Sequence, residues 1–369
     1  MKRRPSLATM ATVVVLAGCT ATSHALPSVP HVHPTETSVA SAPLDPALDV
    51  YAHTRSGEMS PAVAGVADRV YVPNSTSDTV DVIDPRTFQI VDHFAVGKLP
   101  QHVTPSWDLK TLYVDNDKGN SLTPIDARTG KPGAVIPVDD PYNLYFTPDG
   151  ASAIVVAEQR KRLDFRDPHT WQLQKSVMIP YSGVDHADFS ADGTTMVVTC
   201  EFSGWLVRVD VRRMELNGAL DVGGQPIDVK LAPDGKSFYV ANQSRNGVSI
   251  IDAATFEETR FVETGAGAHG MYPSRDGRLL YVSNRKAGTV SVLDFQSGDE
   301  VATWHIGGSP DMGGVSSDGT RLWLSGRYNK SVYVIDTSTG TLLRTIHVGG
   351  GPHGLSVFPQ PGRFSMGHT

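Results

Sequence analysis

Short runs of alternating apolar and polar residues recur along most of the chain, and such alternation indicates half-buried β-strands. One set of runs has the form Tyr-Val-x-Asn, as in Tyr71-Val72-Pro73-Asn74, Tyr113-Val114-Asp115-Asn116, Tyr239-Val240-Ala241-Asn242 and Tyr281-Val282-Ser283-Asn284. A second run follows each of these and ends in Asp, as in Val80 to Asp84 and Val332 to Asp336. A turn and a further strand come next, so the pattern predicts an all-β protein.

The pattern repeats about every 42 residues, and an Asp-Gly pair recurs at five of the junctions between apolar runs. Asp-Gly is typical of tight hairpins because both residues tolerate positive φ. The pairs are Asp149-Gly150, Asp192-Gly193, Asp234-Gly235, Asp276-Gly277 and Asp318-Gly319. Cut at the first strand after the turn, the repeats begin near Arg69, Thr111, Ser152, Thr195, Ser237, Leu279 and Arg321. Seven repeats of four strands predict a seven-bladed β-propeller with four-stranded antiparallel blades.

The end of the chain carries one apolar segment more than seven complete repeats require. We expect this segment, Pro352 to Phe358, to pair with the Tyr71 strand and to close the ring. A closed ring leaves no exposed sheet edge, which favours this arrangement. The alternative is that Pro61 to Val66 occupies the same position.

Composition agrees with a turn-rich globular domain. The chain has 369 residues, 40% of them hydrophobic and 19% charged, with 35 Gly and 25 Pro. The apolar content excludes disorder for most of the chain, and 2 Cys cannot form a disulfide framework. The formal net charge of -7 argues against a nucleic-acid partner, because such proteins carry a basic surplus.

The N-terminus has the pattern of an export signal. Lys2, Arg3 and Arg4 precede a short apolar run, which ends in Leu16-Ala17-Gly18-Cys19. This ending is similar to a bacterial lipobox, which predicts a signal peptide over residues 1–18 and lipidation of Cys19. The alternative is an ordinary signal peptide that is cut elsewhere. Residues 19–58, rich in Ala, Ser, Thr, Pro and His, are expected to form a flexible tether before a propeller over residues 59–369. The mature protein would have a net charge of -10 and lie on the extracytoplasmic face of the cell membrane, held by its lipid anchor only.

The Tyr-Val-x-Asn strands, the Ile-Asp-x-x-Thr-Gly turns and the links into Asp-Gly resemble the YVTN-repeat β-propeller family, the YncE-like proteins. The resemblance covers residues 69–363 and implies the propeller fold. Some repeats depart from the pattern: Val155 to Glu158 and Val197 to Glu201 lack both Tyr and Asn. Members of this family have varied roles, so the resemblance implies no particular activity.

Polar residues are expected to gather at one end of the central channel, where inner strands start and the next strands end. Four histidines occur there, one in every second repeat, with acidic or amide residues between them. Diverse residues on a regular scaffold are typical of a binding face. The inner-strand candidates are His102, Asn143, His186, Asp228, His269, Asp311 and His353, and the neighbouring strand ends add Glu158, Glu201, Arg285 and Arg327.

Structural roles are an alternative for each of these residues, because His and Asp also cap backbone N–H groups. A divalent metal bound by His102, His186, His269 and His353 is a further hypothesis, since imidazole suits zinc or copper. Zinc–nitrogen bonds of about 2 Å require convergent ligands, and histidines spread around a seven-bladed ring would lie too far apart. Cys200 is expected to be a buried thiol.

Two classes of function remain open. The first is a membrane-tethered binding or scaffold protein, a monomer that holds a small ligand, a peptide or an envelope protein at the polar end of the channel. The second is a lyase, hydrolase or oxidoreductase that uses the same residues with a metal or another cofactor. The sequence contains no Gly-x-Ser-x-Gly elbow, phosphate-binding loop, His-Glu-x-x-His pair or Cys-x-x-Cys motif, which favours the first class.

Overall fold

A computed structural model describes residues 49–362, in which 28 strands form seven four-stranded antiparallel sheets. From the inside outwards, blade 1 contains β28 (Ser356–Phe358), β1 (Arg69–Asn74), β2 (Thr79–Asp84) and β3 (Gln89–Ala95). Blade 2 contains β4 (Pro100–Pro105), β5 (Thr111–Asn116), β6 (Ser121–Asp126) and β7 (Ile136–Pro137). Blade 3 contains β8 (Pro141–Phe146), β9 (Ala153–Ala157), β10 (Arg162–Arg166) and β11 (Leu173–Met178).

Blades 4 to 7 follow in chain order. Blade 4 contains β12 (Val184–Phe189), β13 (Thr195–Cys200), β14 (Trp205–Asp210) and β15 (Glu215–Asp221). Blade 5 contains β16 (Pro226–Leu231), β17 (Ser237–Asn242), β18 (Gly247–Asp252) and β19 (Glu258–Glu263). Blade 6 contains β20 (Ala268–Pro273), β21 (Leu279–Asn284), β22 (Thr289–Asp294) and β23 (Glu300–His305). Blade 7 contains β24 (Pro310–Val315), β25 (Arg321–Gly326), β26 (Ser331–Asp336) and β27 (Leu342–His347).

The seven-bladed propeller predicted from the sequence is therefore confirmed. Each inner strand contacts the inner strand of the next blade, and β28 contacts both β24 and β4, so the ring is closed. Two short 3₁₀ turns, Ala52–Thr54 and Pro61–Val63, are the helical elements of the described residues. None of the helices in residues 49–362 is long and apolar enough to span a bilayer.

The Asp-Gly pairs form the hairpins between inner and second strands, as expected. In blade 4, the Asp192 carboxylate accepts hydrogen bonds from Ser190 Oγ at 2.6 Å and from the Thr194 N–H at 3.0 Å. Gly193 has φ 67°, a conformation that residues with a Cβ adopt at a cost. The Asp side chain and the Gly backbone thus specify the turn locally in the five blades that contain the pair.

The hydrophobic core is divided into seven clusters, one at each interface between neighbouring blades. Successive residues of a strand point to opposite faces of its sheet. In β1, Val70 and Val72 therefore pack against blade 7, whereas Tyr71 packs against blade 2. The second strands are buried on both faces for this reason, and the outermost strands alternate between exposed and half-buried residues.

Ring closure by the C-terminal segment is also confirmed. Val357 pairs with Val70 in an antiparallel ladder, and Leu355 and Val357 complete the cluster between blades 7 and 1. The alternative segment, which contains the Pro61–Val63 turn, does not occupy this position.

The chain already packs on the propeller before residue 59, within the segment assigned to the tether. Tyr51 is buried, and its hydroxyl donates to the Leu231 carbonyl oxygen at 2.7 Å. The Val50 N–H donates to the Pro233 carbonyl oxygen beside an Asp-Gly turn. Residues 49–58 thus lie at the channel end opposite the starts of the inner strands. The predicted signal peptide, Cys19 and most of the predicted tether lie outside the described residues.

Candidate ligand-binding mouth

The candidate site lies where the inner strands begin, and we call this end of the channel the mouth. Six inner strands are irregular there: in β8 one residue, Tyr142, lies between the paired positions, and in five others two residues lack a partner in the second strand. These residue pairs are Gln101-His102, Asp185-His186, Ile227-Asp228, His269-Gly270 and Asp311-Met312. Such bulges redirect side chains and are frequent beside binding sites. Here they place polar side chains at the mouth, in an otherwise apolar strand.

The four histidines converge across the channel, although they belong to four different blades. The ring centroid of His102 lies 5.2 Å from that of His186 and 4.9 Å from that of His353. The centroids of His269 and His353 are 6.2 Å apart. Neighbouring histidines thus lie closer together than expected for a seven-bladed ring. Within residues 49–362, His269 and His353 are the two of the four that belong to a group with ligand atoms within 4.8 Å of one another. Three of these rings, those of His102, His186 and His269, belong to the irregular residue pairs.

His102 and His353 are buried beside each other. His102 Nδ1 donates to the Tyr142 carbonyl oxygen at 2.9 Å, which assigns the proton to Nδ1. A Cβ on Gly354 would overlap the His102 imidazole, so the close approach of the closing segment requires glycine. Burial lowers the pKa of both histidines well below the usual value, and the positive charge of half-buried Arg327 adds to this effect. Both imidazoles are thus neutral at physiological pH.

Asp311 links His269 to a basic side of the mouth. Its Oδ1 lies 2.8 Å from His269 Nδ1 and 3.4 Å from Arg285 Nη1. Although burial opposes ionisation of Asp311, His269 and Arg285 hold the pKa of its carboxyl well below the usual range. Arg285 also donates to Gln243 and lies over the Tyr328 ring. The guanidinium is therefore held in one orientation.

The opposite side of the mouth, from blades 2 to 4, is acidic. Burial and the nearby Asp185 carboxylate raise the pKa of Glu158 to about 7 and that of Glu201 to about 8. Burial together with Asp140 raises the pKa of Asp117 to about 6. Desolvation and like charges both favour the protonated acids. At neutral pH this side therefore holds acids that are partly protonated, and a positive charge placed beside them would favour their ionisation.

His186, in blade 4, forms an ion pair on the acidic side. Its Nδ1 is 2.7 Å from Asp185 Oδ1, and both side chains are buried. Burial disfavours the imidazolium, but the Asp185 carboxylate outweighs burial and raises the pKa of His186. His186 thus differs from the other three histidines, whose pKa values are lowered.

Asn143 and Asp228 have structural partners instead. Asn143 Nδ2 donates to the Tyr145 hydroxyl, and that hydroxyl accepts the Ala187 N–H of blade 4 at 2.9 Å. Asp228 Oδ2 accepts the Met271 N–H of blade 6 at 2.8 Å. Backbone N–H groups in the interior need such partners. Asp228 therefore joins blades 5 and 6 directly, whereas Asn143 holds the Tyr145 hydroxyl that joins blades 3 and 4. Both roles match the structural alternative that the sequence left open.

Several mouth residues were not among the candidates chosen from the sequence. Asp185 and Tyr142 stand at inner-strand starts, and Asp117 and Asp140 flank the acidic side. The Asp185-His186 pair is visible in the sequence, because the two residues are adjacent. Asp140 has no such signal, since its approach to Asp117 depends on how blades 2 and 3 pack. Cys200 is buried as expected, and burial raises the pKa of its thiol to about 12.

Comparison with known proteins agrees with this architecture. The sequence model of the YNCE-like beta-propeller family matches residues 31–362. The chain belongs to this family. The family resemblance seen in the repeats is thereby confirmed. No curated protein matches the sequence.

Solved structures with low sequence identity share the fold of this YNCE-like propeller. A functionally unknown protein from Desulfotomaculum acetoxidans is 18% identical, with a TM-score of 0.70, over 80% of this chain and 100% of that chain. The hydrazine synthase of Kuenenia stuttgartiensis is 22% identical, with a TM-score of 0.61, over 69% and 88%. Apo AztD from Citrobacter koseri is 12% identical, with a TM-score of 0.61, over 80% and 99%. At these identities the similarity concerns the fold alone.

Proposed function

We propose that this protein is a membrane-tethered, extracytoplasmic propeller that binds a small, positively charged ligand at the mouth. One observation carries the proposal: Glu158, Glu201 and Asp117 are crowded among further carboxylates at one side of the mouth, so that all three pKa values are raised. Buried groups with strongly shifted pKa values cluster at functional sites. A bound cation would favour ionisation of these carboxyl groups, which the free protein holds partly protonated at neutral pH.

The basic side of the mouth limits what such a ligand is. Arg285 and Arg327 are half-buried beside Asp311, so an anionic group on the same ligand would find partners there. The site therefore fits a small molecule with separated charges, or the charged end of a peptide from an envelope protein. Nucleic acid does not fit as the ligand, because the net charge of -7 would repel its phosphates.

Thermal denaturation with defined probes tests the binding site. We expect 1,4-diaminobutane to raise the melting temperature in a saturable way, because it binds the folded state. The uncharged analogue 1,4-butanediol should leave it unchanged. The diamine effect should be lost in Glu201→Gln and kept in Glu263→Gln, a variant of an exposed glutamate on β19. Equal shifts in all three proteins would refute binding at the mouth.

The membrane attachment is tested separately by cell fractionation. Replacing Cys19 by Ser should move the protein from the membrane fraction to the soluble extracytoplasmic fraction, since the lipid anchor is its proposed attachment. A Cys19→Ser protein that stays in the membrane fraction would refute the anchor but not the ligand site.

The same carboxyl groups favour an enzyme as the second candidate function. With pKa values raised to about 7 and about 8, Glu158 and Glu201 titrate near neutral pH, where general acids and bases work best. Hydrolysis of nitrophenyl esters and phosphates by the wild type, lost in Glu201→Gln and kept in Glu263→Gln, would support this function. Activity that is equal in both variants would exclude it for this site.

A further inference from the structure

Three buried side chains at the basic side of the mouth have the composition of a metal site. One ligand atom each from His269, Asp311 and His353 lies within 4.8 Å of the other two. They come from β20, from β24 and from the segment that leads into β28, so three blades contribute. The side chains are at most 5% exposed, which excludes a chance cluster of solvated groups on the surface.

Two polar atoms of this trio are buried without a hydrogen bond. Asp311 Oδ2 and His353 Nδ1 find no partner within the described part of the chain. Leaving a buried polar group unsatisfied destabilises a protein, and buried polar atoms in native proteins are nearly always paired. Both atoms can donate a lone pair to a cation. A bound metal ion would therefore satisfy the groups that the polypeptide leaves unpaired.

The surroundings orient these ligands. Arg285 and His269 both contact Asp311 Oδ1, which holds the carboxylate in place while Oδ2 stays unused. Groups behind a metal ligand commonly fix it in this way.

We propose that His269, Asp311 and His353 bind one divalent transition-metal ion, with Zn²⁺ as the test ion. Two imidazoles and one carboxylate suit zinc and its first-row neighbours. Three protein ligands with a fourth position open toward the mouth are the arrangement of exchangeable or catalytic zinc sites. Ligand atoms of tetrahedral zinc lie about 3.3 Å apart, so the trio needs to close by about 1.5 Å at most. Side-chain rotation provides such a movement.

This inference rests on the proposed function in one respect, since it assigns a ligand to the same mouth. The two use different residues, however, and their tests separate them. The diamine probe depends on Glu201, whereas zinc depends on His353. If the protein does not bind zinc but its melting temperature still rises with the diamine, the metal site alone is overturned. If it neither binds zinc nor responds to the diamine, the proposed function is overturned too.

Zinc titration of the chelator-treated full chain, by calorimetry, tests the site. The wild type should bind one zinc ion at the propeller, and His353→Gln should weaken this binding by more than about tenfold to a hundredfold, the usual effect of losing an outer-shell partner. His347→Gln, a variant of an exposed histidine on β27, should bind like the wild type and serves as the matched control. Equal zinc binding in both variants would overturn the proposal.

A spectroscopic measurement keeps the test decisive if His353→Gln does not fold. Cobalt(II) bound to the wild type should show the visible absorption bands of a four- or five-coordinate site, and Asp311→Asn should lack them. Near-ultraviolet circular dichroism reports whether each variant is folded. A wild-type protein without stoichiometric zinc binding or without these cobalt bands would refute the site by itself.

Discussion

Replacing Glu201 by Gln should change how the stability of the protein depends on pH. Burial and the Asp185 carboxylate raise the pKa of Glu201 from 4.5 to about 8 in the folded protein. Between these pH values the native state keeps a proton that the unfolded chain has lost. The free energy of unfolding must therefore fall as the pH rises through this window. The amide of the Glu201→Gln variant carries no charge, so it would not contribute to this fall.

The magnitude follows from the size of the shift. One pKa unit corresponds to about 1.36 kcal/mol, so this shift sets an upper limit of about 5 kcal/mol. Glu201 is half-buried, and the water that reaches it weakens the effect. We expect the wild type to lose about 1–3 kcal/mol more than Glu201→Gln between pH 5 and pH 9. At pH 5 both side chains are uncharged in the folded state, and the two proteins should differ little.

Urea unfolding at a series of pH values, followed by circular dichroism, measures this difference. Glu263→Gln is the matched control, because Glu263 is exposed on an outer strand, and its exchange should leave the pH profile unchanged. If Glu201→Gln and the wild type lose stability in parallel between pH 5 and pH 9, Glu201 does not occupy an acidic, desolvated position at the mouth.

Three further substitutions test the packing of the ring by urea unfolding. Tyr145→Phe should lower the free energy of unfolding by about 2–4 kcal/mol, because it leaves two buried donors unpaired. Tyr71→Phe is the control, since the Tyr71 hydroxyl has no hydrogen bond within residues 49–362. Equal losses of stability in the two variants would contradict the role assigned to the Tyr145 hydroxyl. Leu355→Ala should cost about 2–5 kcal/mol, since it opens a cavity at the closing interface, and a cost below about 1 kcal/mol would argue against closure there. Asp115→Ser should stabilise the protein by about 1–3 kcal/mol at neutral pH, because both carboxylate oxygens of Asp115 are buried without a hydrogen-bond partner. Unchanged or lower stability of the variant would contradict this prediction.

The reason for the Asp115 prediction lies in the repeat itself. At the equivalent position of blade 6, the Ser283 hydroxyl accepts the Gly270 N–H at 2.9 Å and donates to the Asp311 carbonyl oxygen at 2.7 Å. A hydroxyl fits this place because it both accepts and donates, whereas a carboxylate only accepts. Burial accordingly raises the pKa of Asp115 well above its usual value.

Local signals in the sequence were sufficient to predict the architecture. Six of the seven second strands begin at the residue predicted for the start of a repeat, and β9 begins at Ala153, one residue after the prediction. Turn residues and period-2 alternation act between near neighbours, so they can be interpreted without knowing the fold. Ring closure was also predictable, because the terminal segment was the one apolar run without a place in a repeat.

The site was predictable as a region but not in its internal geometry. The sequence indicated which end of the channel collects polar residues. It did not separate Asn143 and Asp228, whose partners support the packing of neighbouring blades, from His353 and Asp311, which keep unpaired atoms. That distinction depends on the strand bulges and on which residues of the adjacent blade each side chain contacts.

By itself, the sequence determined the class, the number of blades, their strands and the closing segment, because each depends on contacts within one repeat or on simple pattern counting. Only the tertiary structure decided that His102, His186, His269 and His353 meet in the channel and that the mouth has an acidic and a basic side. The physical reason is distance along the chain. Residues in alternate blades become neighbours only when the ring closes and its inner strands narrow the channel.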